Sequence, residues 1–78
     1  MRNNNGRRSR LAEEIRAELA RQQKSRTDLA NAMGVSQNTL TSRLTGRYPF
    51  LVDEVAVCAA FLGMTTSELI ARTEGDAA

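Results

Sequence analysis

The stretch Thr27-Asp28-Leu29-Ala30-Asn31-Ala32-Met33-Gly34-Val35-Ser36-Gln37-Asn38-Thr39-Leu40 decides how this chain is read. Ser25, three residues before Asp28, has the spacing of a capping box, and an acid in the first turn suits the positive end of the helix dipole. A helix over Arg26 to Met33 follows. Gly34 stops it, as a residue free to adopt a left-handed conformation does. Ser36 then caps a second helix, Gln37 to about Leu44. In it Leu40 and Leu44 turn inward, while Gln37, Asn38, Thr41 and Ser42 form a polar outer stripe. Ala30 is small enough for two helices to cross there, Val35 is the apolar residue after the turn, and Leu40 anchors the second helix to the first.

Working outward, Leu11, Ile15 and Leu19 recur at four-residue spacing with Ala12 beside them, which predicts a helix from Arg10 to about Gln22 capped by Ser9. Gly46 and the Tyr48-Pro49 pair end the helix that begins at Gln37. Positions 51, 55, 58, 59 and 62 share one face of a fourth helix, Leu51 to Leu62, which has no clear N-cap. Gly63 closes it. Thr65 and Glu68 form another capping-box pair ahead of a short fifth helix containing Leu69 and Ile70. No strand alternation or repeat interrupts this pattern. The expected fold is all-α, a compact five-helix bundle over residues 9–72, preceded by a flexible basic arm (1–8) and followed by a loose tail (73–78).

Composition narrows the chemistry. With 78 residues there is room for one small domain. Its core should be aliphatic, since Tyr48, Phe50 and Phe61 are the only aromatic residues. A single cysteine, Cys58, forms no internal disulfide, and a chain without histidine cannot assemble the usual zinc ligand sets. No apolar run approaches the length of a membrane span, and the charged start is not followed by the apolar segment of a signal peptide. The net charge of +2 hides an asymmetry. Up to Tyr48 ten basic residues face four acids, whereas from Pro49 onward one arginine faces five acids, so a polyanion is expected on one side.

Two short helices joined by a glycine turn, the second with a polar outer stripe, are the parts of a helix-turn-helix. The sequence from about Leu11 to Ile70 resembles the Cro and phage-repressor type of helix-turn-helix protein. The resemblance is carried by residues 27–40 quoted above, by Gly46, and by Asp53-Glu54, Ala59, Leu62-Gly63 and the Thr65 to Leu69 segment. It implies a bundle whose third helix enters the DNA major groove, and a cytoplasmic transcriptional regulator, most often a repressor, that occupies an operator in double-stranded DNA without a cofactor. Carried over by position, Gln37, Asn38 and Ser42 are the expected base-reading residues, with Thr41 against a thymine methyl. Asn and Gln pair bidentately with adenine. Arg26, Thr45, Arg47 and Tyr48 are the expected phosphate contacts. Arg43 departs from the family, which usually has an apolar residue there; it is expected either to form a salt bridge or to reach guanine or phosphate.

Other positions have two readings each. Arg2, Arg7 and Arg8 are a loose tail or an arm in the minor groove. Tyr48 packs the turn or touches phosphate. Cys58, on the buried face of the fourth helix, is expected to be an inert small hydrophobe. Val57, Phe61 and Ile70 are the candidate contacts of a weak homodimer or of one formed on DNA; otherwise Phe61 folds down beside the fifth helix. The length suits a one-domain regulator and equally the DNA-binding part of a longer repressor. The function from another class is a protein-interaction module, such as an antitoxin or adaptor, using the same bundle. An enzyme is not expected: there is no phosphate loop, and no histidine to activate the cysteine. Neither a small-molecule ligand nor a membrane partner is called for.

Overall fold

The computed structural model describes the backbone of residues 3–75 and the side chains of residues 10–73. Among these residues there are five helices and no strand: α1 (Asn3–Gln22), α2 (Arg26–Met33), α3 (Gln37–Leu44), α4 (Val52–Phe61) and α5 (Thr66–Gly75). Side-chain caps account for the starts of three of them. Ser25 Oγ accepts the Asp28 N–H at 3.0 Å, and Ser36 Oγ accepts the Thr39 N–H at 3.1 Å. Thr65 and Glu68 make the reciprocal box, Glu68 N–H to Thr65 Oγ1 at 3.0 Å and Thr65 N–H to Glu68 Oε1 at 2.8 Å. Leu51, at the N-cap of α4, has no acceptor in its side chain. There the Glu54 carboxylate reaches back to the Leu51 N–H at 2.9 Å.

Helices α1 to α4 end alike. One residue past α1 and α2, and two past α3 and α4, a residue turns left-handed, Gln23, Gly34, Gly46 and Gly63 in turn, and its N–H and that of the residue after it bond back to the last turn, in the pattern of a Schellman motif. At α2 the bonds are Gly34 N–H to Asn31 O and Val35 N–H to Ala30 O, both 3.1 Å, with φ +73° at Gly34. At α1 the left-handed position is Gln23, with φ +57°, the one non-glycine residue of this kind among the described residues. Glycine is the residue that adopts this conformation without strain, and its absence there hid the motif from the sequence reading.

Two boundaries differ from expectation. Helix α1 begins at Asn3, so residues 3–8 continue the helix where an arm was expected and Ser9 does not cap it. Extending a formed helix adds one hydrogen bond per residue fixed, and no proline intervenes to stop it. Helix α5 runs on to Gly75, past the expected start of the tail at Thr73. Arg2 and residues 76–78 lie outside the described residues, as do the side chains of Arg7 and Arg8.

The core is aliphatic, with Cys58 included. One cluster joins Ile15 and Leu19 of α1, Leu29 and Ala30 of α2, Leu40 and Leu44 of α3, Val55, Cys58 and Ala59 of α4, Leu62 just after it, and Leu69 of α5. Helix α3 packs on α1 and α2, while α4 packs on α2 and α5, and α1 on α5. Leu51 was expected on the buried face of α4 but is 57% exposed. As the N-cap it has extended backbone, φ −75° and ψ 157°, which takes its side chain off the helical face. Among the described residues no single helix is long and apolar enough to cross a membrane.

A Cβ built on Gly34 would meet nothing within 4 Å, so a side chain there costs only backbone strain. Gly34→Val should therefore lower stability by about 1–2 kcal/mol, and Gln23→Gly should raise it by up to about 1 kcal/mol, both by urea unfolding. Unchanged unfolding of both variants would contradict the left-handed turns.

Candidate functional site

Helix α3 has eight residues, and its two faces are chemically distinct. Leu40 and Leu44 are fully enclosed. On the opposite side Gln37, Asn38 and Thr41 are exposed, and Ser42 is half-buried at the edge. The first turns of α2 and α3 stand side by side: the Gln37 Nε2 amide donates to Thr27 Oγ1 at 2.7 Å. Arg26, exposed, precedes Thr27 at the first position of α2. Thr27 and Gln37 thus meet on the exposed side of the two helices, with the exposed Arg26 and Asn38 adjacent to them in the chain. A cation at Arg26 stands at the wrong end of a helix dipole, a cost of about 0.3–1 kcal/mol that packing does not require.

The Thr27 contact was not anticipated. The Thr27 hydroxyl, ten residues earlier, holds the Gln37 amide and limits its rotamers. No periodicity links positions in two different helices, so the pair becomes visible only once the turn is folded. With one N–H engaged by Thr27, the Gln37 amide still offers its carbonyl oxygen and a second N–H, a donor and an acceptor side by side.

Arg43 does not belong to this surface. Of the uses open to it, the structure shows the ion pair: Arg43 Nε lies 2.8 Å from Glu54 Oε1, and Nη2 lies 3.3 Å from Oε2. The fork ties the end of α3 to the start of α4. The hydrogen bond from Arg43 also holds the Glu54 carboxyl below its ordinary range, against the opposing effect of burial. A second carboxylate, Glu18 of α1, is buried as well. It accepts from Gln22 Nε2 at 2.7 Å and Arg72 Nη1 at 2.8 Å, and pairs with Arg21. The Gln22 bond is the main reason its carboxyl also titrates low.

Two further basic side chains bond to backbone carbonyls of other helices. Arg16 donates to the Leu44 carbonyl at the end of α3, and Lys24 donates to the Phe61 carbonyl at 3.1 Å. Arg10, Arg26 and Arg47 make no ion pair among the described residues. Arg47 lies over the Tyr48 ring, 5.9 Å from its centroid. Thr45, exposed after α3, donates its hydroxyl to the Ser42 carbonyl at 3.2 Å.

The contacts expected for a dimer lie on the α4–α5 side. Val57, Phe61 and Ile70 are each half-buried, and Phe61 and Ile70 pack against the core. Lys24 covers the Phe61 ring, its Nζ 4.9 Å from the centroid. Among the described residues the most exposed large apolar side chains are Val52, Leu51 and Tyr48. Cys58 is enclosed, its Sγ 3.8 Å from Met33 Sδ, and burial pushes its thiol up to about 12, which leaves it unreactive at neutral pH. No group of three or more potential metal ligands exists among the described residues. The chain matches no protein family, no curated protein and no solved structure.

Both low-titrating carboxyls bind protons less readily in the folded protein than at the ordinary value of 4.5. The stability they supply is complete above the ordinary carboxyl range and is lost as pH falls through their lower folded values. The melting temperature should hold from pH 7 to about 5 and fall below about 4. Glu54→Gln keeps an acceptor for Leu51 but loses the charge that pairs with Arg43. It should lower stability at pH 7 by about 1–3 kcal/mol and flatten the acid limb. Thermal melts of both proteins across this range check it.

Proposed function

We propose that this chain is a sequence-specific double-stranded-DNA-binding transcriptional regulator of the Cro and phage-repressor helix-turn-helix type, acting as a repressor by operator occupancy. The observation that carries the reading is the Thr27–Gln37 hydrogen bond of 2.7 Å, which joins the first turns of α2 and α3 into one exposed polar surface. In this reading α2 and α3 are the helix-turn-helix, and α3 enters the major groove. Gln37 and Asn38 meet base edges, and an amide that presents a donor beside an acceptor matches adenine N7 and N6. Thr41 and Ser42 lie one turn along. Arg26 serves a phosphate beside the first turn of α3, which gives its unfavourable place at a helix start a use. Thr27, its hydroxyl accepting from Gln37, sets the angle of the reading amide. Because one such helix spans few base pairs, two copies read half-sites about 34 Å apart.

Selection of bound sites from random duplex DNA supplies the operator. On it Gln37→Ala should cost about 1–3 kcal/mol and relax preference at one base pair per half-site, with little loss on scrambled DNA. Arg26→Ala should weaken both DNAs alike and make the salt dependence shallower by up to about one unit. Titrations of the variants on both DNAs over a salt series separate these effects. The reading fails if no salt-dependent DNA binding occurs, a result that favours a protein-interaction module, or if Gln37→Ala and Asn38→Ala both leave the preference intact.

A further inference from the structure

Gln37 is gripped at two points. Its backbone opens α3 directly after the Ser36 cap, whose Oγ accepts the Thr39 N–H at 3.1 Å and donates to Thr39 Oγ1 at 3.1 Å. Its amide is held through Nε2, 2.7 Å from Thr27 Oγ1, which turns the carbonyl oxygen Oε1 away from Thr27. Asn38, the next residue, is exposed and has no such hold among the described residues. The two amides therefore differ in freedom. Asn38 turns about its side-chain bonds, whereas Gln37 turns only by giving up Thr27.

Adenine offers N7 as acceptor and N6–H as donor in the major groove, and an amide on that edge donates to the first and accepts from the second. In N6-methyladenine the remaining N6–H is needed to pair with thymine, so the methyl group stands in the groove where the donor was. A side chain free to turn moves off the methyl. One that is held meets it with a carbonyl oxygen left without a partner, and a site built to hydrogen-bond a donor rejects the analogue that lacks it. We propose that Gln37, held by Thr27, makes binding selective for operator adenine that is not methylated at N6, and that Thr27 is the residue that sets this selectivity. The proposal rests on the DNA-binding reading above and adds to it a covalent state of the DNA to which the protein responds.

Two synthetic operators test it, with adenine or N6-methyladenine at the base pair whose preference Gln37→Ala relaxes, titrated with the full chain at one salt concentration. The wild-type chain should bind the methylated operator about tenfold to hundredfold more weakly, the worth of one bidentate contact. Gln37→Ala should bind both operators alike. Thr27→Val, a change at an exposed position, removes the hydroxyl that holds the amide and should shrink the methylation effect to about threefold or less, while Thr27→Ser keeps the hydroxyl and should retain the effect. Equal binding of both operators by the wild-type chain would overturn the proposal and leave the DNA-binding reading in place. So would a base pair other than A·T at the Gln37 position, an undiminished effect in Thr27→Val, or a Thr27→Ser chain indifferent to methylation. Absence of salt-dependent binding to any DNA would overturn both.

Discussion

A helix of eight residues does not hold together alone in water, because the cost of nucleating it exceeds what so few hydrogen bonds return. Helix α3 depends on what clamps it. Leu40 and Leu44 are buried against the neighbouring helices, each contributing about 1.5–3 kcal/mol of apolar burial. Ser36 satisfies its first turn, and the Arg16 guanidinium meets the Leu44 carbonyl at its end. The fork between Arg43 and Glu54 then ties α3 to α4. With the inward side and both ends occupied in this way, the remaining stripe faces water in a fixed direction.

The same economy governs the charges. Of the basic residues described in the first half of the chain, those on α1 and α3 mostly serve the bundle: Arg16 and Arg43 secure α3, while Arg21 neutralises Glu18, with Arg72 of α5. Lys24 neutralises the negative end of α4 and shields Phe61. A count of charges overstates the field at any one face, because it cannot distinguish an arginine that holds two helices together from one that faces solvent. Arg10, Arg26 and Arg47 are of the second kind, and Arg26 precedes Thr27, whose hydroxyl accepts from Gln37.

Local signals made most of the element boundaries legible. Ser25, Ser36 and the Thr65-Glu68 pair placed three helix starts, and Gly34 placed the turn that decides how α2 meets α3, because caps and left-handed residues act within a few positions of the chain. The exceptions have local causes as well. Gln23 adopts the left-handed conformation without being glycine, and α1 extends to Asn3 through residues with no cap or breaker to halt it.

By itself the sequence determined an all-helical chain, the inward leucines of α3 and its polar outer stripe, since each follows from a period of 3.6 residues and short-range capping. Tertiary structure decided which polar groups are spent and which remain. It paired Arg43 with Glu54, joined Gln37 to Thr27 across the turn, covered Phe61 with Lys24 and left Leu51 and Val52 exposed. These outcomes depend on groups that meet only after the helices pack, and neither residue type nor spacing along the chain encodes such a meeting.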